Sequence, residues 1–303
     1  MNNYLKPQLA SRHINLKLDD PLTPMRKWLK RYSEEALFYS TKFDGERCIA
    51  EFLEGPEGII SYYSRSGECF SNYDCFTEQL NILKIRMARR FQRPLGMLDG
   101  EVLDPRGQAF LRQQSQRVHD VDTSNLMYFI FDVPKVVAKL VTRVRYMRYL
   151  RQCSKDLDRI HIVQHTELPS HDVDFIMELF NDKVAQGYEG LVIKRGWETY
   201  REGPSRKDWL KIKESYTEDL RVVGVKEGRG KDIGTAGALI CEYEGELVNV
   251  SGFTYAEAEK FLKNPPKVVE AAFHQVTENQ RDTNSLRHPT FVRVRNDLNG
   301  EFK

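Results

Sequence analysis

Hydrophobic and polar positions along the first two thirds of the chain predict a mixture of short strands and amphipathic helices. Apolar side chains recur at helical spacing over Thr77–Phe91, with basic residues on the outer face. Further helices are expected at Lys135–Cys153 and Asp172–Gln186, the second closed by Gly187. Runs of β-prone residues predict strands at Leu37–Thr41, Arg47–Leu53, Ile59–Ser64, Leu95–Leu103, Leu126–Val133 and Gly190–Lys194.

The pattern changes after Lys213, where short apolar runs alternate with glycine-rich turns. Strands are expected at Arg221–Glu227, Ala238–Glu244, Glu246–Ser251 and Phe291–Arg295, with a short helix at Tyr255–Leu262. Several short strands with one helix are typical of a small β-barrel such as an OB-fold. We therefore predict an α+β protein, with antiparallel sheets and helices over residues 1–214 and an OB-fold over residues 215–303. The boundary falls near Glu214–Thr217.

Composition narrows the class of protein. With 303 residues, 40% of them hydrophobic and 30% charged, the chain has the balance of a soluble globular protein with one or two cores. No apolar run is long enough to cross a bilayer, and the polar Met1–Lys17 stretch lacks the apolar core of a secretion signal. We expect a cytoplasmic protein without a membrane partner. The five cysteines form no CxxC pair, which predicts reduced thiols rather than disulfides or a zinc site.

Positive charge is concentrated although the net charge is only +2. Basic residues cluster at Lys84–Arg93, at Lys135–Arg151 and near the C-terminus, at Arg287, Arg293 and Arg295. Each cluster by itself is typical of a solvated helix face or surface strand. A nucleic-acid partner becomes the better interpretation only together with the motifs described next.

The segment from Thr41 to Arg47 places a lysine before an Asp-Gly pair and an arginine behind it. A lysine in this position is common in solvated turns, and Asp-Gly is a common hairpin turn. A lysine nucleophile, however, needs a rigid position facing a pocket, which the end of a strand provides. We expect a tight turn at Asp44–Gly45 to return the chain, so that Lys42 and Arg47 reach the same nucleotide.

Two further motifs place polar groups in apolar strands. In Asp99-Gly100-Glu101, a carboxylate inside an apolar run predicts pairing, hydrogen bonding or metal binding, although a strand-end turn is the simpler alternative. In Tyr128–Asp132, alternation puts Phe129 and Phe131 on one face, where an aromatic ring can stack on a purine or pack in a core.

Two later strands carry charges at their ends. The segment Glu189–Lys194 has an apolar run at its centre, with an acidic residue and a glycine before the run and a basic residue after it. In Trp209–Lys213, alternation aims Lys211 and Lys213 at the same face, where they repel each other unless an anion such as a triphosphate lies between them. Each motif has a structural explanation by itself, but five of them in this order favour a nucleotide-transfer site.

This order of motifs resembles that of the covalent nucleotidyltransferases, the superfamily of DNA ligases, RNA ligases and mRNA-capping enzymes, whose catalytic domain is ATP-grasp-like. The resemblance covers nearly the whole chain and is greatest to the minimal ATP-dependent DNA ligases of bacteriophages and large DNA viruses. Tyr63–Gly67 resembles the ligase segment whose arginine meets the nick phosphate, and Ser285–Val292 resembles the end of phage ligases. The resemblance implies a nucleotidyltransferase domain followed by an OB-fold.

The resemblance also implies roles for individual residues and an ATP-dependent nick-sealing reaction that passes through lysyl-AMP and adenylylated DNA. Lys42 corresponds to the nucleophile that attacks ATP, and Arg65 to the arginine that binds the 5′-phosphate of nicked double-stranded DNA. Mg²⁺, or Mn²⁺ in its place, is expected at Glu101 and Glu189. The remaining nucleotide-binding positions are Ser40, Thr41, Arg47 and Glu101 near the sugar and base, Phe131 on adenine, and Glu189, Lys194, Lys211 and Lys213 around the phosphates, the last two also taking part in catalysis.

Several features depart from larger ligases. Many ligases carry an acid two residues before the lysine, where it contacts the adenine amino group, and this chain has Ser40 there. The sequence shows neither a separate N-terminal DNA-binding domain nor a long basic insertion in the OB region, so we expect two domains, as a monomer without an obligate protein partner, to grip DNA alone. Binding is then modest and salt-sensitive. The Glu214–Thr217 segment is the expected hinge between them.

Two alternatives stay open at the level of sequence. An RNA ligase or an mRNA guanylyltransferase would share the motifs but differ in nucleic acid or nucleotide. A catalytically inactive OB-fold protein that binds nucleic acid would keep the fold but not the lysine chemistry. Arg47, the Arg65 segment and the C-terminal stretch favour the DNA ligase.

Overall fold

The computed structural model describes residues 7–15, 22–53, 58–108, 110–112, 121–278 and 284–298, so the Met1–Lys17 stretch lies partly outside the described residues. Clustering of contacts divides the chain into two compact units, whose main parts are residues 22–213 and residues 214–303. None of the helices in these described ranges is long and apolar enough to cross a membrane.

The first unit contains two five-stranded sheets. Its strands are β1 (Leu9–Asn15), β2 (Leu37–Lys42), β3 (Glu46–Phe52), β4 (Ile60–Tyr63), β5 (Met97–Leu103), β6 (Met127–Asp132), β7 (Ile160–Ile162), β8 (Thr166–Glu167), β9 (Gly190–Arg195) and β10 (Pro204–Lys213). The first sheet has the order β1-β10-β9-β2-β8 and the second the order β4-β3-β5-β6-β7. The second sheet is antiparallel except for the β6–β7 pair. The expected α+β architecture of antiparallel sheets with helices is confirmed.

The sheets of the first unit are accompanied by helices that include α1 (Leu22–Arg31), α2 (Thr77–Phe91), α3 (Leu140–Cys153) and α4 (Val173–Ala185). Leu80 and Leu83 of α2 and Val144 and Leu150 of α3 join the apolar side of the second sheet in one buried core. The predicted bounds of α2 are confirmed. Those of α4 differ by one residue at each end, because Asp172 caps the helix by accepting a hydrogen bond from the Asp174 amide.

The expected hairpin at Asp44–Gly45 is wrong. Strand β2 belongs to the first sheet and β3 to the second, so Phe43–Gly45 carries the chain from one sheet to the other. Gly45 is required by packing rather than by a turn, since a Cβ atom there would lie 2.3 Å from the Val102 carbonyl oxygen. Lys42 and Arg47 therefore approach the same space from two sheets.

Helix α3 begins at Leu140, five residues later than predicted. Residues after Pro134 first make a turn, and Lys139 forms a β-bridge with Thr199. The amide of Leu140 donates to the Glu198 carbonyl oxygen at 2.8 Å, so an early helical amide is satisfied by a distant segment. Tertiary contacts, rather than helical propensity, fix where this helix starts.

The second unit is built on one five-stranded antiparallel sheet of order β13-β12-β11-β14-β17 and a two-stranded ribbon, β15–β16. Its elements are β11 (Tyr216–Glu227), β12 (Ala236–Tyr243), β13 (Glu246–Val250), α5 (Tyr255–Lys263), β14 (Val268–Phe273), β15 (Val276–Glu278), β16 (Asn284–Leu286) and β17 (Thr290–Val294). An isolated bridge joins Ser251, just after β13, to Thr290 of β17, so the two edge strands of the sheet meet at one point. Phe261 of α5 packs into the core beside Leu239 and Val269.

Candidate active site

A cavity of about 270 Å³ lies between the two sheets of the first unit. Nine of the eleven residues selected from the sequence line it, contributed by both sheets and by the loop after β4. The lining residues are Ser40, Thr41, Lys42, Phe43, Arg47, Arg65, Glu101, Phe131, Val192, Lys194, Trp209 and Lys211. Of the selected residues, Glu189 and Lys213 lie outside this lining but adjoin it.

Lys42 is the last residue of β2 and lies opposite Gly190 of β9. Its ammonium group forms an ion pair with the Glu189 carboxylate, and its carbonyl oxygen accepts the Glu189 amide at 3.2 Å. The two side chains are 19% and 24% exposed. The lysine is thus held at a strand end, accessible from the cavity and oriented by one carboxylate.

The glycine after Glu189 allows this close approach. Gly190 has φ +145°, and a Cβ atom there would lie 2.2 Å from the Ile212 carbonyl oxygen on β10. A side chain would push β9 away from β10 at the level of Lys42 and Glu189. The Glu-Gly pair of the motif therefore follows from strand packing directly beside the lysine.

Arg47 is a fixed cation in the wall of the cavity. Its guanidinium group donates to both carboxylate oxygens of Asp99, at 2.7 and 2.6 Å, and to the Gln8 carbonyl oxygen at 2.8 Å. Burial lowers the pKa of Arg47, but the charge and hydrogen bonds of Asp99, together with Tyr200 and Glu101, raise that pKa overall. The guanidinium carbon lies 4.8 Å from the centre of the Phe131 ring, so the arginine packs against the predicted aromatic platform.

Sequence reasoning gave no role to three residues that hold this arginine. Tyr200 donates to Asp99 Oδ2 at 2.6 Å, and the Gln8 amide donates to the Tyr200 hydroxyl at 3.0 Å. Alternation in β5 places Asp99 on the same face as Glu101, a signal that could have identified it. Gln8 and Tyr200 are separated by 192 residues, and no local pattern indicates that they meet.

Glu101 lies opposite Arg47 on β3 and opposite Phe129 on β6. Burial raises its pKa to about 7, while Lys42 and Arg47 lower it and Glu189 raises it further. An additional positive charge would therefore stabilise the ionised form of this buried carboxyl group. The described residues hold no group of three or more His, Cys, Asp or Glu side chains that could bind a metal. The pair of Glu101 and Glu189 nevertheless fits Mg²⁺, which is commonly held by one or two carboxylates together with substrate phosphates.

Lys194 is almost completely buried, with 2% of its side chain exposed. Its ammonium nitrogen lies 4.1 Å from the Trp209 ring centre, 5.1 Å from that of Phe131 and 3.5 Å from Asp132 Oδ2. Burial lowers the pKa of Lys194, and Asp132 opposes that shift. Arg143, fully buried, donates to Asp132 at 2.7 Å. Lys194 therefore reaches the cavity lining as part of a buried ion network, and Trp209, which sequence reasoning left without a role, forms the wall beneath it.

The other predicted cations lie on β10, the strand next to β9, and in the turn after β4. Lys211 lines it from β10, and burial, reinforced by the charge of Lys42, lowers the pKa of Lys211. Lys213 pairs with Gly190 across β9 and β10, on the same strand face as Lys211. Arg65 is exposed and lines the cavity from the turn after β4. Positive charge thus surrounds the Lys42 end of the cavity.

The fold of the chain is similar to that of nucleotidyltransferase-domain ligases. It is similar to the solved structure described as Pmar-Lig_Pre, with a TM-score of 0.76, 22% identity and coverage of 96% of this chain and 68% of that chain. It is also similar to a structure from an analysis of DNA binding with a minimal scaffold in Lig E DNA ligases, with a TM-score of 0.63, 21% identity and coverage of 86% and 92%.

Residues 18–213 match the family model of the ATP dependent DNA ligase domain. The match spans more than half of the chain, which therefore belongs to the ATP-dependent DNA ligase family.

The DNA ligases to which the sequence of this chain is similar are longer than the chain. The chain is 32% identical over 292 residues to DNA ligase 2 of Korarchaeum cryptofilum, a match covering 85% of this chain and 47% of the relative. It is 25% identical over 256 residues to DNA ligase 1 of Saccharomyces cerevisiae, covering 78% of this chain and 32% of the relative. The chain thus spans less than half the length of either relative.

Proposed function

We propose that the protein is an ATP-dependent DNA ligase that seals nicks between a 5′-phosphate and a 3′-hydroxyl in duplex DNA. The observation that carries this proposal is the position of Lys42, at a strand end in a cavity lined by Lys194 and Lys211 from the first sheet and by Arg47, Glu101 and Phe131 from the second. Membership of the ATP-dependent DNA ligase family supports it.

In the proposed reaction the Lys42 amine attacks the α-phosphate of ATP, an N–P bond forms, and pyrophosphate leaves. The AMP group then passes to the 5′-phosphate of the nick, and the 3′-hydroxyl displaces AMP to close the strand. These steps depend on positioning and on neutralising phosphate charge. Lys211 and Lys213 supply that charge, and Lys194 adds to it from the buried end of the cavity.

The walls of the cavity supply the remaining contacts. Phe131 offers a ring face to adenine and is held in place by contact with the guanidinium of Arg47. Ser40 and Thr41 border the nucleotide on the first sheet, and Arg47 with Glu101 binds the ribose on the second. Arg65, exposed at the cavity mouth, binds the 5′-phosphate of the nick.

Two carboxylates fit a divalent cation in this site. Glu101 and Glu189 would hold Mg²⁺, or Mn²⁺, which neutralises charge on the phosphates when bound. Glu189 also orients the Lys42 amine through their ion pair.

We further propose that residues 215–303 form an OB-fold and that the protein acts as a monomer on nicked duplex DNA. The Ser251–Thr290 bridge between the edge strands supports a closed barrel. Only Glu214 and Ser215 separate β10 from β11, which supports a hinge near Glu214–Thr217.

Incubation with radiolabelled ATP and Mg²⁺, followed by denaturing electrophoresis, tests the first step. We expect a covalent label on the wild type and none on Lys42→Ala, with ATP preferred over GTP and NAD. A second assay compares sealing of nicked DNA with sealing of nicked RNA. An unlabelled wild type, or undiminished label on the variant, contradicts the proposal. Preference for GTP would instead favour an mRNA guanylyltransferase, and preference for nicked RNA would favour an RNA ligase.

A further inference from the structure

Helices α2 and α3 cover the face of the second sheet that points away from the cavity. Arg47 and Glu101 line the cavity, whereas Cys48 and Val102, their neighbours in sequence, belong to the core formed with the two helices. Successive residues of a strand point to opposite faces. The outer surface of this helix pair is therefore separated from the nucleotide site by a full layer of sheet.

The two helices run antiparallel and are fixed to each other at both ends of their contact. Arg86 of α2 donates to the carbonyl oxygen of Cys153 at 2.8 Å, at the end of α3. Phe91, at the end of α2, stacks on Tyr149 with ring centres 4.5 Å apart. The exposed side chains of both helices consequently lie on the same side of the second sheet.

This surface carries five exposed arginines: Arg89, Arg90 and Arg93 from the end of α2, and Arg145 and Arg148 from α3. Arg86 is paired with Asp156, but within the described ranges none of the five forms an ion pair with an acidic side chain. The whole chain has a net charge of only +2, so these five charges leave the remainder net negative. These five positive charges thus lie on the helices that cover the side of the sheet opposite the active site.

We propose that this arginine face binds the phosphate backbone of a second, intact DNA duplex while the cavity side holds the nick. The inference rests on the proposed function. Guanidinium groups bind phosphate through two parallel hydrogen bonds, and the face is composed of arginine without lysine. Arginines carried by two neighbouring helices can therefore contact more than one phosphate of the same duplex.

The test uses the full chain, adenylylated and saturated with a nicked duplex that lacks the 3′-hydroxyl, so that it is not sealed, and that is just long enough to fill the nick site. Recruitment of a second, fluorescently labelled intact duplex is followed by anisotropy at increasing salt. The variant R89Q/R93Q/R145Q/R148Q removes four positive charges from the arginine face. The matched control R26Q/K27Q/K30Q/R31Q removes four exposed positive charges from α1.

We expect the wild type and the control to recruit the labelled duplex, with the variant losing recruitment. Its slope of log affinity against log salt should fall by about 0.9 for each lost phosphate contact, while sealing of the isolated nick stays unchanged. Absence of recruitment by the wild type, equal loss in the control, or parallel loss of nick sealing in the variant overturns the inference. Failure of the proposed function is distinguishable, since the wild type would then form no covalent AMP.

Discussion

Arg47 and Asp99 form a two-point ion pair across neighbouring strands, with donor–acceptor distances of 2.7 and 2.6 Å. Asp99 is fully buried and the Arg47 side chain is 15% exposed. The pair stabilises the guanidinium in the orientation that contacts Phe131. The nucleotide-facing arginine is therefore positioned before any nucleotide enters.

Replacing Asp99 with Asn should destabilise the protein by about 3–5 kcal/mol, because a buried guanidinium loses its counter-charge. Urea unfolding measures this change, and lysyl-AMP formation should fall with it. The matched control is Glu51→Gln, which breaks the more exposed Lys135–Glu51 pair and should cost at most about 1 kcal/mol. Equal losses of unfolding free energy in the two variants would show that the Arg47–Asp99 pair contributes no more to stability than an exposed ion pair does.

The raised pKa of Glu101 predicts two opposite responses to pH. Between its ordinary pKa of 4.5 and about 7, the folded state retains a proton that the unfolded state releases, so stability falls as pH rises through this window. The loss should reach up to about 3 kcal/mol and be absent in Glu101→Gln. Lysyl-AMP formation should instead rise as the carboxylate forms near pH 7. Identical stability profiles for wild type and variant would contradict this assignment.

Gly190→Ala should disrupt the strand pairing beside Lys42. A methyl group there meets the Ile212 carbonyl oxygen at 2.2 Å, and φ is +145°, so the strain should cost about 1–3 kcal/mol or more. Thermal unfolding and lysyl-AMP formation should both decline. In the control Gly224→Ala, also in a strand, the methyl group meets only the Ile240 side chain at 3.4 Å, and stability should change little. A Gly190→Ala variant as stable as this control would contradict the prediction that Gly190 is needed for strand pairing.

Gln8→Ala should affect ATP use although Gln8 does not line the cavity. The Gln8 side chain donates to Glu198 at 2.9 Å and accepts from the Arg201 amide at 2.8 Å. Loss of these buried bonds should cost about 1–3 kcal/mol. Because the Gln8 carbonyl also holds Arg47, the KM for ATP should rise more than kcat falls. The exposed Gln164→Ala serves as the control, and an unchanged KM in Gln8→Ala would limit Gln8 to a structural role.

The sequence predicted the elements whose patterns are local. Helix α2 has its expected bounds because its apolar spacing lies within one segment, and Lys211 and Lys213 share a strand face as alternation requires. Strand β14 was missed since all six residues are buried and show no alternation. No local sequence pattern indicates the Gln8–Tyr200 contact or the assignment of β2 and β3 to different sheets. Both depend on pairings between segments that are distant in the sequence.

The three residues Phe43–Gly45 have a mechanical consequence for the site. Lys42 and Arg47 belong to different sheets, yet five residue steps of backbone limit their Cα separation to roughly 18 Å at full extension. The short connection acts as a tether that keeps the two groups within reach of one nucleotide whenever the cavity opens. Lengthening it by one residue would loosen that tether while leaving Arg47 on the same face of β3, so the spacing between the lysine and the arginine sets a limit on the distance between the two sheets.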